Sequence, residues 1–146
     1  PTNDAQELVP GITLYQATCV PCRYPAAWAG MSAIINGQRV ADDFRHEQYL
    51  LIEERGKRIL ISGCSHRGIL NIATHFKPDV LIGGFHFMKA DPVADASMLL
   101  QAAEQLSALP TRYYTGHCTG AAATELLRER MGSQLATIST GLIFDV

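Results

Sequence analysis

An α/β fold is predicted by three observations. Short apolar runs, too brief for helices, alternate with one-face helical patterns along the second half of the chain. Two of the runs, Ile59-Leu60-Ile61 and Val80-Leu81-Ile82, are aliphatic at every position, as in strands buried on both faces. Three strand ends deliver a histidine within three residues of a glycine: Gly63 to His66, Gly84 to His86 and Gly116 to His117.

In chain order, residues 1–10 are polar and read as an entry segment. Gly11 to Thr18 alternates Ile12, Leu14 and Ala17 and reads as a strand. Residues 23–47, punctuated by Pro25, Gly30 and Gly37, read as a long loop with a short strand piece at Ser32 to Asn36. Gln48 to Glu53 and Arg58 to Ser62 flank a glycine-containing turn and read as a hairpin. A helix is expected from Ile69 to His75, ending before Pro78 because the residue preceding proline disfavours the helical conformation. Asp79 onward is a strand. Val93 to Leu109 carries Met98, Leu99, Ala102, Ala103, Leu106 and Leu109 on one helical face, behind an Asp91-Pro92 start. Arg112 begins another strand. Ala121 to Met131 is a helix with Thr119 as its cap candidate and Gly132 past its end. Gln134 to Ser139 and Gly141 to Val146 read as two final strands.

A length of 146 residues suits one domain, 1–146, with a real core. The net charge of −2, with no Lys/Arg cluster, gives no footprint for nucleic acid. No apolar run approaches the ~20 residues that cross a bilayer, so no membrane partner is expected. No signal peptide is visible. The chain opens at Pro1 rather than methionine, which suggests processing or a fragment. The cysteines are Cys19, Cys22, Cys64 and Cys118, and two of them adjoin the strand-end histidines. Free thiols there suit a reducing, cytoplasmic setting.

The chemistry concentrates at the carboxyl ends of the strands, the edge where open α/β sheets bind ligands. A lone histidine is ordinarily a satisfied core or surface residue, but histidines repeated at strand ends read as a metal or acid/base site. His66 and Cys64 are both able to ligate, Cys64 as a soft thiolate. His86, behind Gly83 and Gly84, is the candidate catalytic residue for proton transfer, with a structural role as the alternative. Ser65, Gly84, Thr119 and Gly120 are the candidate substrate-binding positions. The last two could hold a phosphate or carboxylate at a helix start, and plain helix capping is their alternative. Cys19-Val-Pro-Cys22 has redox-motif spacing, yet no amphipathic helix follows it to lower a thiolate pKa.

Ser-Gly-Cys-Ser-His66, Ile-Gly-Gly-Phe-His86 and Gly-His117-Cys-Thr-Gly together resemble the metallo-β-lactamase-fold hydrolases. Within them they resemble the dihydropterin ribofuranosyl-aminobenzene phosphate synthase-like branch. In that branch an acidic residue usually precedes the position of Glu47; here His46 stands there. The resemblance implies His117 as a metal ligand and Cys64 where many relatives keep a bridging aspartate. It implies zinc, or iron or manganese, as cofactor, and a small, phosphorylated or pterin-like substrate. The family's His-x-His-x-Asp-His motif does not occur in this sequence. The chain therefore resembles the carboxyl-terminal half of an αββα sandwich, a mixed sheet with helices on one face. Such a half would hold metal weakly or not at all alone, and would pair with an identical chain or with an amino-terminal half. A non-catalytic assembly half-domain, or a thiol-disulfide protein using Cys19 and Cys22, are the other functions open to it.

Overall fold

The computed structural model describes residues 4–26 and 31–145. Pro1, Gly30 and Val146, named above, lie outside them. The elements are β1 (Ala5–Val9), β2 (Ile12–Gln16), β3 (Ser32–Ile35), β4 (Gln38–Ala41), β5 (Gln48–Glu54) and β6 (Lys57–Gly63). Then come α1 (Ile69–Phe76), β7 (Val80–Gly83), α2 (Ala96–Ser107), β8 (Arg112–Thr115), α3 (Ala121–Met131) and β9 (Leu135–Thr137). Seven strands form one mixed sheet in the order β1-β2-β5-β6-β7-β8-β9, while β3 and β4 pair separately. From β1 to β6 the neighbours are antiparallel, and from β6 to β9 they are parallel.

The three helices each connect neighbouring parallel strands stepping in one direction. Crossovers of one hand then place all three on the same face. Burial agrees with that placement. The cross-strand row Leu51, Leu60, Leu81, Tyr113 and Leu135 is at most 4% exposed and packs with Ile72, Leu99, Leu106 and Leu127 of the helices. The neighbouring row Leu14, Leu50, Ile61, Ile82 and Tyr114 faces the other way. Among the described residues no helix covers it, and Ile61 is 39% exposed. Tyr114 alone in that row is well covered, by the Phe144 ring stacked at 3.9 Å.

The structure departs from the expectations in five places. Residues 1–10 contain β1, an all-exposed edge strand whose weak alternation hides it. The long loop of 23–47 contains a full hairpin, β3–β4, turned by Asn36 and Gly37 with φ of 51° and 77°. Asn-Gly is the residue pair that this two-residue turn demands, and it was the available signal. The second helix starts at Ala96, because Asp91 accepts from the N–H groups of Val93 and Ala94 and holds a separate turn before it. Gly120, rather than Thr119, occupies the cap position of α3. Residues 141–145 form no strand, since the chain turns at Thr140–Gly141 and lays Phe144 on the open face instead of pairing.

Candidate functional site

The strand ends of β6, β7 and β8 are tied together by polar groups that the sequence places one to five residues past each apolar run. The register of β6 shifts between Ile61 and Gly63, so the strand bends as it leaves the sheet. Gly84 N–H donates to Gly63 O at 2.7 Å, and the Ser62 and Ser65 hydroxyls lie 2.8 Å apart. Thr115 donates to Gly83 O, so the bond between Thr115 and Thr119 is donated by Thr119, whose oxygen in turn accepts the Phe85 N–H. The Thr119 hydroxyl is therefore fully engaged and buried, which is why it caps nothing. Gly84 leaves room for a neighbouring loop: a Cβ there would lie 2.4 Å from the Cys118 sulfur.

His66 and His86 are brought together, with ring centroids 4.4 Å apart. Phe44 stacks flat on His66 at 4.3 Å. Glu47, buried just before β5, accepts from four donors. One carboxylate oxygen receives the His66 backbone N–H at 2.7 Å and its Nδ1 at 3.1 Å; the other receives Tyr49 Oη at 2.8 Å and the Arg67 N–H at 3.1 Å. Burial, with Glu47 beside it, drives the Tyr49 phenol pKa far up, so Tyr49 remains a donor. The sequence reading gave Glu47, Phe44 and Tyr49 no role. The signal lay in period-2 alternation: the pattern that turns Tyr49 and Leu51 inward also turns Glu47 inward, where a carboxylate requires partners.

His117 opens a short 3-10 turn after β8, exposed, while Cys118 behind it is buried. The Cys118 thiol reaches Cys64 O at 3.6 Å, which joins the loops after β6 and β8 across the glycines that end β7. Burial and the neighbouring Cys64 thiol push Cys118 up to about 11. Four residues at this end of the sheet, Phe44, Ser65, His86 and His117, hold φ between 50° and 59°. That left-handed region is uncommon for residues with side chains, and its clustering at strand ends is a mark of functional loops. Cys64 is half-buried, and Ser65 is buried with its hydroxyl on Ser62. Gly120 lies between the turn of His117 and α3.

The donor set falls short of the metal expectation. Among the described residues no group of three or more His, Cys, Asp or Glu side chains is arranged to hold a metal ion. His66 already bonds Glu47 through Nδ1, leaving one ring nitrogen. These residues do not fit a complete metal site, and a tight zinc site needs three protein ligands or more. A cavity of about 360 Å³ opens between α1 and α2 beside Ser65, lined by Tyr24, Phe85, Phe87, Met98, Gln101 and Gln105. None of the three strand-end histidines lines it, so it is separate from the His66–His86 contact. Cys19 and Cys22 are both free thiols. Burial and the nearby Asp4 raise the Cys19 pKa, the opposite of what a reactive thiolate needs.

No protein-family model matches this chain. It is 31% identical over 121 residues to the 7,8-dihydropterin-6-methyl-4-(β-D-ribofuranosyl)-aminobenzene-5'-phosphate synthase of Methanocaldococcus jannaschii, covering 78% of this chain and 40% of that protein. It is 34% identical over 73 residues to an uncharacterized protein of the same organism, covering 47% of this chain and 27% of the other. The fold matches the crystal structure of a metal-dependent hydrolase of the β-lactamase superfamily with a TM-score of 0.83. The identity there is 24%, over all of this chain and 57% of that one. The chain thus spans less than two thirds of the length of each of these three proteins.

Proposed function

We infer that this chain, which belongs to the metallo-β-lactamase-fold superfamily, supplies the carboxyl-terminal half of a hydrolase or transferase site for a small phosphorylated or pterin-like molecule. The observation that carries this reading is the His66–His86 contact, built from two strand-end loops whose backbones hold strained conformations at Ser65 and His86. Strain of that kind persists when surrounding structure over-determines it, and here the hydroxyl and glycine contacts do so.

In this reading His86 transfers a proton and His66 offers its remaining ring nitrogen to substrate or metal. His117 is exposed on the neighbouring loop, and Cys64, reached by the Cys118 thiol of that loop, is a further donor. Gly84 and Gly120, whose missing side chains let Cys118 and Met88 pack against them, offer a ligand only their backbone, while Ser65 and Thr119 hold the loops that bind it. Zinc, iron or manganese would be held only when donors outside this set complete the site, and no catalytic step is assigned to it. The uncovered row of Leu14, Leu50, Ile61 and Ile82 is where a second layer would pack. Its occupant is an identical chain or an amino-terminal half of the sandwich. The same face supports the alternative of a binding and assembly half-domain without catalysis.

The test is turnover of phosphorylated pterin and aryl phosphate substrates by the chain isolated natively with the layer that covers its sheet. His66→Ala and His86→Ala are each expected to lower turnover by roughly 10²–10⁴-fold, the usual loss for a positioned acid or base. Wild-type turnover in both variants would overturn the catalytic reading. An intact assembly that binds these substrates without turning them over would favour the binding alternative.

A further inference from the structure

We propose that Glu47 is the positioning residue of this site: its carboxylate holds His66 in one tautomer, Nδ1 protonated, and thereby presents Nε2 as the working nitrogen. A carboxylate has about four lone-pair sites and, when ionised, no proton to give. At Glu47 all four are met by donors: the His66 and Arg67 backbone N–H groups, the Tyr49 hydroxyl and the His66 ring. The two backbone N–H groups can only donate, and the buried Tyr49 hydroxyl, which keeps its proton, donates to the carboxylate oxygen away from the ring. The acceptor therefore stays an acceptor, and His66 Nδ1 has to carry the proton that bridges them.

The grip has two further features of an orienting device. One oxygen holds both the backbone and the ring of His66, which fixes the loop and the side-chain rotation together. Phe44, stacked parallel to the imidazole, removes the remaining freedom to tilt. Successive N–H groups cupping a carboxylate make a concavity suited to an anion, so the loop preceding α1 is built around this acid. The proposal deepens the reading of His66 as a site residue, on which the work assigned to Nε2 rests. The tautomer itself rests only on the hydrogen bonds.

The test is the imidazole nitrogen spectrum of the labelled chain, taken where the ring is neutral, with the His66 signals assigned by their loss in His66→Gln. A protonated and an unprotonated ring nitrogen resonate far apart, so the tautomer is read directly. Wild type is expected to show Nδ1 protonated and Nε2 bare. Glu47→Gln is expected to lose that single-tautomer signature, because its amide can donate as well as accept. Tyr49→Phe, which disturbs the same carboxylate without touching the ring, is expected to keep it. His66 with Nε2 protonated in wild type, or an unchanged spectrum in Glu47→Gln, would overturn the proposal. If Glu47→Gln fails to fold, Glu47→Asp replaces it: the shorter acid is expected to weaken the signature, and an unchanged spectrum counts against the proposal. In the assembled enzyme Glu47→Gln is expected to lower turnover by ~10–100-fold, the usual loss when a histidine's orienting partner is removed. A switched tautomer with wild-type turnover would leave the tautomer control standing and overturn the work assigned to Nε2.

Discussion

The two faces of the seven-stranded sheet are made of nearly the same side chains and live in different surroundings. On the helix face, Leu51, Leu60, Leu81 and Tyr113 form a row across four strands and are at most 1% exposed. One residue along each strand, Leu50, Ile61, Ile82 and Tyr114 form the opposite row, and Ile61 keeps 39% of its surface in water. The chemistry of the strand does not distinguish them; the layer packed on top does. Contacts are the source of the energy, so equal hydrophobicity at adjacent positions carries unequal weight in this chain.

The largest expected effect comes from cutting the same number of atoms on each side. Leu60→Ala is expected to cost about 2–5 kcal/mol of unfolding free energy, through lost burial and the cavity left under α1. Ile61→Ala in the isolated chain is expected to cost far less. A denaturant titration returning equal losses would erase the distinction between the faces.

The adjacent tyrosines sharpen it next. Tyr113 on the helix face donates to Leu106 O at 3.0 Å, and burial raises its pKa well above that of a free phenol. Tyr113→Phe should cost about 0.5–1.5 kcal/mol. The sign of the pH dependence follows from the raised value. The unfolded chain loses this proton near pH 10 while the folded chain keeps it, so stability is fully present below pH 10 and falls as pH rises above it. Thermal melts at rising pH should show a shallower decline in the Phe variant; identical slopes would deny Tyr113 that role.

Ile61→Lys probes the open face from the other direction. In the isolated chain it should change stability by no more than about 0.5 kcal/mol, as surface substitutions do. It should also weaken self-association or capture of a second layer, read as sedimentation coefficient against concentration. A marked loss of stability with unaltered association would mean that this face is covered from within the chain. The smallest effect belongs to a residue on neither face: Cys22→Ser, at an exposed free thiol, should leave stability within about 0.5 kcal/mol and folding intact.

Much of the site is legible in the amino-acid sequence. The glycine-histidine strand ends stand out because glycine marks where a strand must stop and histidine is rare enough to be noticed. Glu47 is not legible in that way, since its meaning depends on donors at Tyr49 and at His66 and Arg67, nineteen and twenty residues further on. The β3–β4 hairpin is within reach through Asn36-Gly37, while β1 is not, because an exposed edge strand carries no apolar alternation to betray it.

The sequence by itself determined the order of strands and helices from β5 to β9, the three loops that carry the histidines, and the absence of the His-x-His-x-Asp-His string. These are local matters of periodicity, turn chemistry and residue identity. Helices on one face were expected from the family resemblance; only the tertiary structure decided which row they cover, with Leu51, Leu60 and Leu81 under them and Leu50, Ile61 and Ile82 facing away. It also decided that His66 meets His86 and Phe44, and that a buried carboxylate aims the ring. Those outcomes depend on which strands lie side by side, and pairing across the sheet is set by packing and crossover geometry that no single stretch of chain contains.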